Sequence, residues 1–162
     1  MRQPIPVWEP YERAAELLMG LGVESSALPI EAYRNGPRHV YVALDSEEAV
    51  ASVRPDLTAL GQLPGIGVCC FAGSGPRWKL RNFVPALGVA EDPATGSAAG
   101  PLAVHLARHD QIAFGQQIEI RQGEEIGRPS ILLARVEATA GQITNVEVAG
   151  SAVIVARGEL LA

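Results

Sequence analysis

At 162 residues, 48% of them hydrophobic and 19% charged, the chain has the size and composition of one globular domain able to bury roughly 70% of the surface its unfolded form exposes, which excludes wholly disordered, collagen-like and coiled-coil classes. The net charge of -5, with arginines scattered singly and Lys79 the only lysine, leaves no basic stripe for phosphate backbones, so nucleic acid is not an expected partner. The opening MRQPIPVWEP lacks the apolar stretch of a secretion signal, and a cytoplasmic location is expected.

Ala14, Ala15, Leu17, Leu18 and Leu21 fall at helical spacing and predict an amphipathic helix over residues 9–21, stopped by Gly20 and Gly22. Residues 27–33 and 38–44 read as two strands joined through Asn35-Gly36, a pair suited to positive φ. Residues 46–53, with Ser46 as N-cap, and 55–63, opening on Pro55-Asp56, read as short helices. The uncharged run Leu57 to Pro76 has about the length of a membrane span. Pro64 and five glycines interrupt it, so it reads as a loop and a buried strand, and no membrane association is expected. Strands follow at 67–72 and 77–85. Residues 96–109 form the strongest buried-helix pattern, with Leu102, Ala103, Leu106 and Ala107 on one stripe behind Ala98 and Ala99. Pro101 sits in its first turns, where a missing N–H costs little. Four strands complete the chain, at 116–123, 130–139, 143–150 and 151–158.

This order predicts an α+β fold over residues 1–162 as a single domain: a curved, mostly antiparallel β-sheet wrapped around a central buried helix. A Rossmann sheet is disfavoured, because GxGxxG is absent and βαβ alternation fails after residue 110.

Cys69 and Cys70 are adjacent, and strand neighbours point to opposite faces, so they read as reduced and buried rather than bridged. His105 and His109 are the only helical i,i+4 histidine pair and lack the Glu of HExxH; with His39 they read as packing or surface residues, and no metal is expected. The stretch EDPATGSAAG, residues 91–100, carries the chemistry. Small residues at a helix start let a ligand approach N–H groups that lack partners, beside the positive end of the helix dipole. Thr95 or Ser97 can cap the helix and offer a hydroxyl, and Pro93 holds Asp92 extended just upstream. An acid next to an anion seat suits proton transfer on a carboxylate-bearing substrate. The alternative is that Ala and Gly serve close helix-to-sheet packing and Asp92 only favours the helix end.

The string RNFVPALGVAEDPATGSAAGPL, together with MRQPIPVWEPY, YRNGPRHVYVAL, QGEEIGRPS and VEVAGSAVIVARGEL, resembles the C-terminal half of the phenazine-biosynthesis PhzF-like isomerase family, whose fold is akin to diaminopimelate epimerase. The resemblance implies a cofactor-independent isomerase or epimerase acting on a small carboxylate-bearing metabolite by acid/base proton transfer. It implies that Asp92 is catalytic and that Gly96, Ser97 and Thr95 bind substrate. Arg81 is structural or lines the cleft, Glu91 faces a partner or takes part in catalysis, and Arg128 is structural or pairs a carboxylate. Family members have two pseudo-symmetric halves with the site between them, and the half carrying the catalytic glutamate and a Gly-His-Pro-Thr-like helix start has no counterpart here. The chain is therefore expected to need a separate N-terminal half chain, or to pair with its own copy. The other readings are a homodimeric, non-catalytic binder of small acids and a structural domain.

Overall fold

On the strand Arg38–Ala43, successive side chains point to opposite faces, and both faces are covered. His39 and Tyr41 reach the long helix within the sheet's curl, while Val40 and Val42 join a second apolar cluster behind it. The computed structural model describes residues 1–159. Among these, the strands are β1 (Val7–Pro10), β2 (Glu31–Arg34), β3 (Arg38–Ala43), β4 (Ile66–Ser74), β5 (Arg77–Val84), β6 (Val89–Asp92), β7 (Gln117–Gln122), β8 (Ser130–Thr139) and β9 (Gln142–Gly150). The helices are α1 (Ala14–Leu21), α2 (Glu47–Ser52), α3 (Leu57–Gly61) and α4 (Gly96–Arg108).

One sheet runs β1-β2-β3-β4-β5-β7-β8-β9, with β6 also paired to β5. The β3–β4 and β5–β7 pairings are parallel and the others antiparallel. The sheet is thus mostly antiparallel and curls around α4, as expected. Residues Ala98 to Ala107 of α4 are all buried, packed among Tyr33, Tyr41, Phe71, Leu80, Ile118 and Val136. The outer face carries α1, α2 and α3 over Leu17, Leu21, Val50, Leu60, Val68 and Phe83. The N-terminal segment extends the far edge: Gln3 N–H donates to the Val146 carbonyl, and Met1 and Val148 exchange backbone hydrogen bonds.

Several expectations change. The first helix begins at Ala14, not residue 9, because Val7–Pro10 pairs with β2; Pro10 tolerates this edge position because it has no N–H to leave unpaired. The strand foreseen at 27–33 is shorter and shifted, Glu31–Arg34, and β6 was not foreseen. Pro101 is the sixth residue of α4, past the first turn, and denies the Ser97 carbonyl its helical donor. Residues 151–158 form no strand. Their β-branched pattern suits one, but no neighbouring strand among the described residues supplies a ladder, and Val153, Ile154 and Val155 are 75–90% exposed. The run Leu57–Pro76 resolves into α3, a turn and β4, and no helix among the described residues is long and apolar enough to cross a membrane. Cys69 and Cys70 are buried and free, and burial pushes the Cys70 thiol up to about 12.

Candidate active site

At the start of α4, the Ala98 and Ala99 N–H groups reach the Thr95 carbonyl at 3.0 and 3.1 Å, and the Thr95 N–H donates to Gln122 Oε1. The N–H groups of Gly96 and Ser97 have no acceptor among the described residues. These are the orphan donors that every helix start leaves. A Cβ on Gly96 would meet nothing within 4 Å, so no packing demand explains this glycine, which is half-buried. Gly100 is the opposite case, where a Cβ would lie 2.2 Å from Gln3 Oε1 and 2.9 Å from Val146 Cγ1. The small-residue run combines an open start with a tightly packed interior.

Asp92 ends β6 directly opposite Asn82 of β5. Strand alternation places both on the α4 side and sends Glu91 and Arg81 to the outer face. Thr95 Oγ1 donates to Asp92 Oδ2 at 2.7 Å and accepts from Asn82 Nδ2 and Gln122 Nε2, each at 2.9 Å. Gln122 Nε2 also donates to the Asp92 carbonyl at 2.6 Å. Thr95, Asn82 and Gln122 are buried, whereas Asp92, Gly96 and Ser97 are half-buried. The Asp92 carboxylate is thus half-buried on a mount of buried polar side chains. Next to it, Ala94 borders a groove of about 750 Å³ lined also by Ser130, Ile131 and Val148.

Thr95 is the N-cap of α4 but makes no side-chain cap; its hydroxyl is taken up by Asp92, Asn82 and Gln122. Arg81 grips Glu91 through Nε and Nη2 at 2.9 and 2.8 Å, and its Nη1 donates to the carbonyls of Val50 and Val53 at the end of α2. Both side chains are almost fully buried and lie across the sheet from Thr95. Arg128 is exposed in the loop between β7 and β8.

Sequence reasoning missed Asn82, Gln122 and His39 as members of this constellation. His39 Nε2 lies 3.1 Å from Ser97 Oγ, and burial pushes the ring down to about 4, against the pull of the Asp92 charge. The available signal was an Asn or His among the otherwise apolar inward-facing positions of a strand, Trp78, Leu80 and Val84 around Asn82 and Tyr41 and Ala43 beside His39.

At the other end of α4, Glu31, His105 and His109 place three donor atoms within 4.8 Å of one another, a spacing that a divalent ion can bridge. The Glu31 carboxylate already receives Arg108 Nη1 at 2.7 Å, Tyr33 Oη at 2.8 Å and His109 Nε2 at 3.0 Å. Burial alone would raise Glu31, but these hydrogen bonds together hold it down at about 2. The arginine supplies the positive charge that an ion would otherwise bring.

A curled sheet around a buried helix, with an acid and free amides at the helix start, is the architecture to which the family comparison points. Residues 1–158 match the family described as phenazine biosynthesis-like protein, PhzC-PhzF, and the chain belongs to it. It is 57% identical over 158 residues to a trans-2,3-dihydro-3-hydroxyanthranilate isomerase of Pseudomonas aeruginosa, covering 98% of this chain and 57% of that protein. The isomerase of the same name from Pseudomonas fluorescens is 55% identical, with 99% and 58% covered. In three dimensions the chain is similar to a PhzF-family phenazine biosynthesis protein of Bacillus anthracis, with a TM-score of 0.80 at 23% identity, covering 100% of this chain and 60% of that one. The chain thus spans 57–58% of the length of these curated relatives.

Proposed function

We propose that this chain forms one wall of a cofactor-independent isomerase site for a small carboxylate-bearing metabolite, and that it corresponds to the C-terminal one of the family's two halves. In this reading Asp92 orients the substrate and assists proton transfer. The open N–H groups of Gly96 and Ser97, with the Ser97 hydroxyl, hold the substrate's carboxylate or ring oxygen near the positive end of α4. A glutamate from a complementary half removes a proton beside an unsaturated system and returns it to another carbon, so that substrate and product are isomers. The half is a separate N-terminal chain or, by replacing pseudo-symmetry with a true two-fold, a second copy.

The observation that carries this reading is Gly96. No neighbour requires its smallness, and the amides it uncovers lie next to a carboxylate fixed by three buried polar side chains. Asp92 and Ser97 are half-buried, which suits a site completed by another surface. Exposed Ile131, Val153, Ile154 and Val155 favour a partner on the described surface.

The test is turnover of trans-2,3-dihydro-3-hydroxyanthranilate, the substrate class named for the relatives, by the chain alone and mixed with an N-terminal half. Turnover that needs this chain and disappears in Asp92→Asn supports the reading. Full activity of Asp92→Asn in the competent mixture would sink it.

A further inference from the structure

We infer that His39 is a positioning residue that turns the Ser97 hydroxyl into a hydrogen-bond donor toward bound ligand; this rests on the proposed use of the α4 start as an anion seat. The ring has a built niche. On the neighbouring strand Gly67 pairs with His39 in register, and a Cβ on Gly67 would fall 2.5 Å from His39 Nδ1 and 2.8 Å from Asn82 Oδ1. The imidazole thus occupies room that only glycine leaves, with its Nε2 aimed at Ser97 Oγ. His39 is 3% exposed.

The direction of that hydrogen bond follows from proton accounting. Burial keeps the ring neutral at pH 7, and a neutral imidazole has one N–H. Nδ1 is buried without a partner among the described residues. Were the proton on Nδ1, the protein would hold an orphaned buried N–H, the rarer and costlier arrangement. With the proton on Nε2, the N–H donates to Ser97 Oγ, and Nδ1 is a bare lone pair against the Gly67 backbone. Ser97 Oγ then has one of its two lone pairs engaged and its own hydrogen free. That hydrogen joins the N–H groups of Gly96 and Ser97, and the helix start becomes a set of three donors matched to an oxygen that only accepts. Asp92, with Oδ2 already receiving Thr95, faces the same site as the acceptor.

The test has two arms. Long-range ¹H–¹⁵N spectra of the chain at pH 7, with His39 assigned by its loss in His39→Gln, read the tautomer directly. Protonated Nε2 with bare Nδ1 supports the inference; protonated Nδ1, or a doubly protonated ring, overturns it. The second arm measures anthranilate binding to the chain. His39→Gln, whose amide can still donate, should bind within about twofold of the parent, and His39→Leu about five- to thirtyfold more weakly, the range of one hydrogen bond. His39→Leu combined with Ser97→Ala should be no weaker than Ser97→Ala alone. Unchanged binding in His39→Leu overturns the inference. If the parent chain binds no anthranilate, the anion-seat reading itself fails, and the tautomer result still decides the hydrogen-bond direction.

Discussion

Thr95 donates its hydroxyl hydrogen to Asp92 Oδ2 at 2.7 Å. Because the same oxygen accepts from Asn82 and Gln122, that hydrogen has no alternative use. A hydroxyl has one hydrogen to give, and two N–H donors already point at its lone pairs. Asp92 Oδ2 is therefore held as an acceptor, which leaves Oδ1, in long contact with the Ala94 N–H at 3.4 Å, as the less engaged of the two carboxylate oxygens.

Replacing Thr95 by Val should cost about 1–3 kcal/mol, since it strands two buried amide donors. Thr95→Ser should lose only about 1 kcal/mol, the value of a buried methyl group. Urea unfolding of the two variants checks this. Equal losses would mean that the hydroxyl network contributes nothing.

Gly96→Val should leave stability within about 1 kcal/mol of the parent, because its Cβ enters open space. The same change places a branched side chain over the amides and should weaken anthranilate binding about tenfold or more, about 1.4 kcal/mol. Calorimetric titration beside a thermal melt separates the two effects. A well-folded variant with parental affinity would remove the amides from the site.

Arg81→Met should destabilise the chain by about 3–5 kcal/mol, the cost of leaving the buried Glu91 carboxylate without its partner. The carbonyls that close α2 lose their donor in the same step. The double variant Arg81→Met/Glu91→Gln should recover part of that loss in denaturant unfolding. A mild effect of the single change would contradict the buried-pair geometry.

Stability should fall on acidification from pH 7. Burial lowers His39 and His105 from 6.5 to about 4, so below pH 6.5 the unfolded chain takes up protons that the native chain refuses. Each histidine then contributes a slope of up to about 1.4 kcal/mol per pH unit, with stability lost as pH drops from 6.5 toward 4. Glu31 adds to the loss between 4.5 and about 2, because its native value is depressed and its contribution is complete only above the unfolded value. Urea midpoints at pH 7, 5.5 and 4.5 read the slope, and His39→Gln should reduce it by one proton's share. A flat profile across that range would be incompatible with two buried neutral histidines.

The amino-acid sequence by itself determined what depends on near neighbours. The Ala and Leu stripe specified α4, alternating or continuously apolar runs between turn residues marked β3, β4, β5, β7, β8 and β9, and EDPATGSAAG marked the helix start with its acid. The tertiary structure alone decided which polar groups meet there. Asn82, Gln122 and His39 lie 13 residues from Thr95, 27 residues from Thr95 and 58 residues from Ser97 respectively. Their convergence depends on strand register and on the curl of the sheet, neither of which leaves a local periodicity. Residues 151–158 make the same point from the other side: their side chains suit a strand, but a strand exists only where a neighbour accepts and donates its backbone hydrogen bonds.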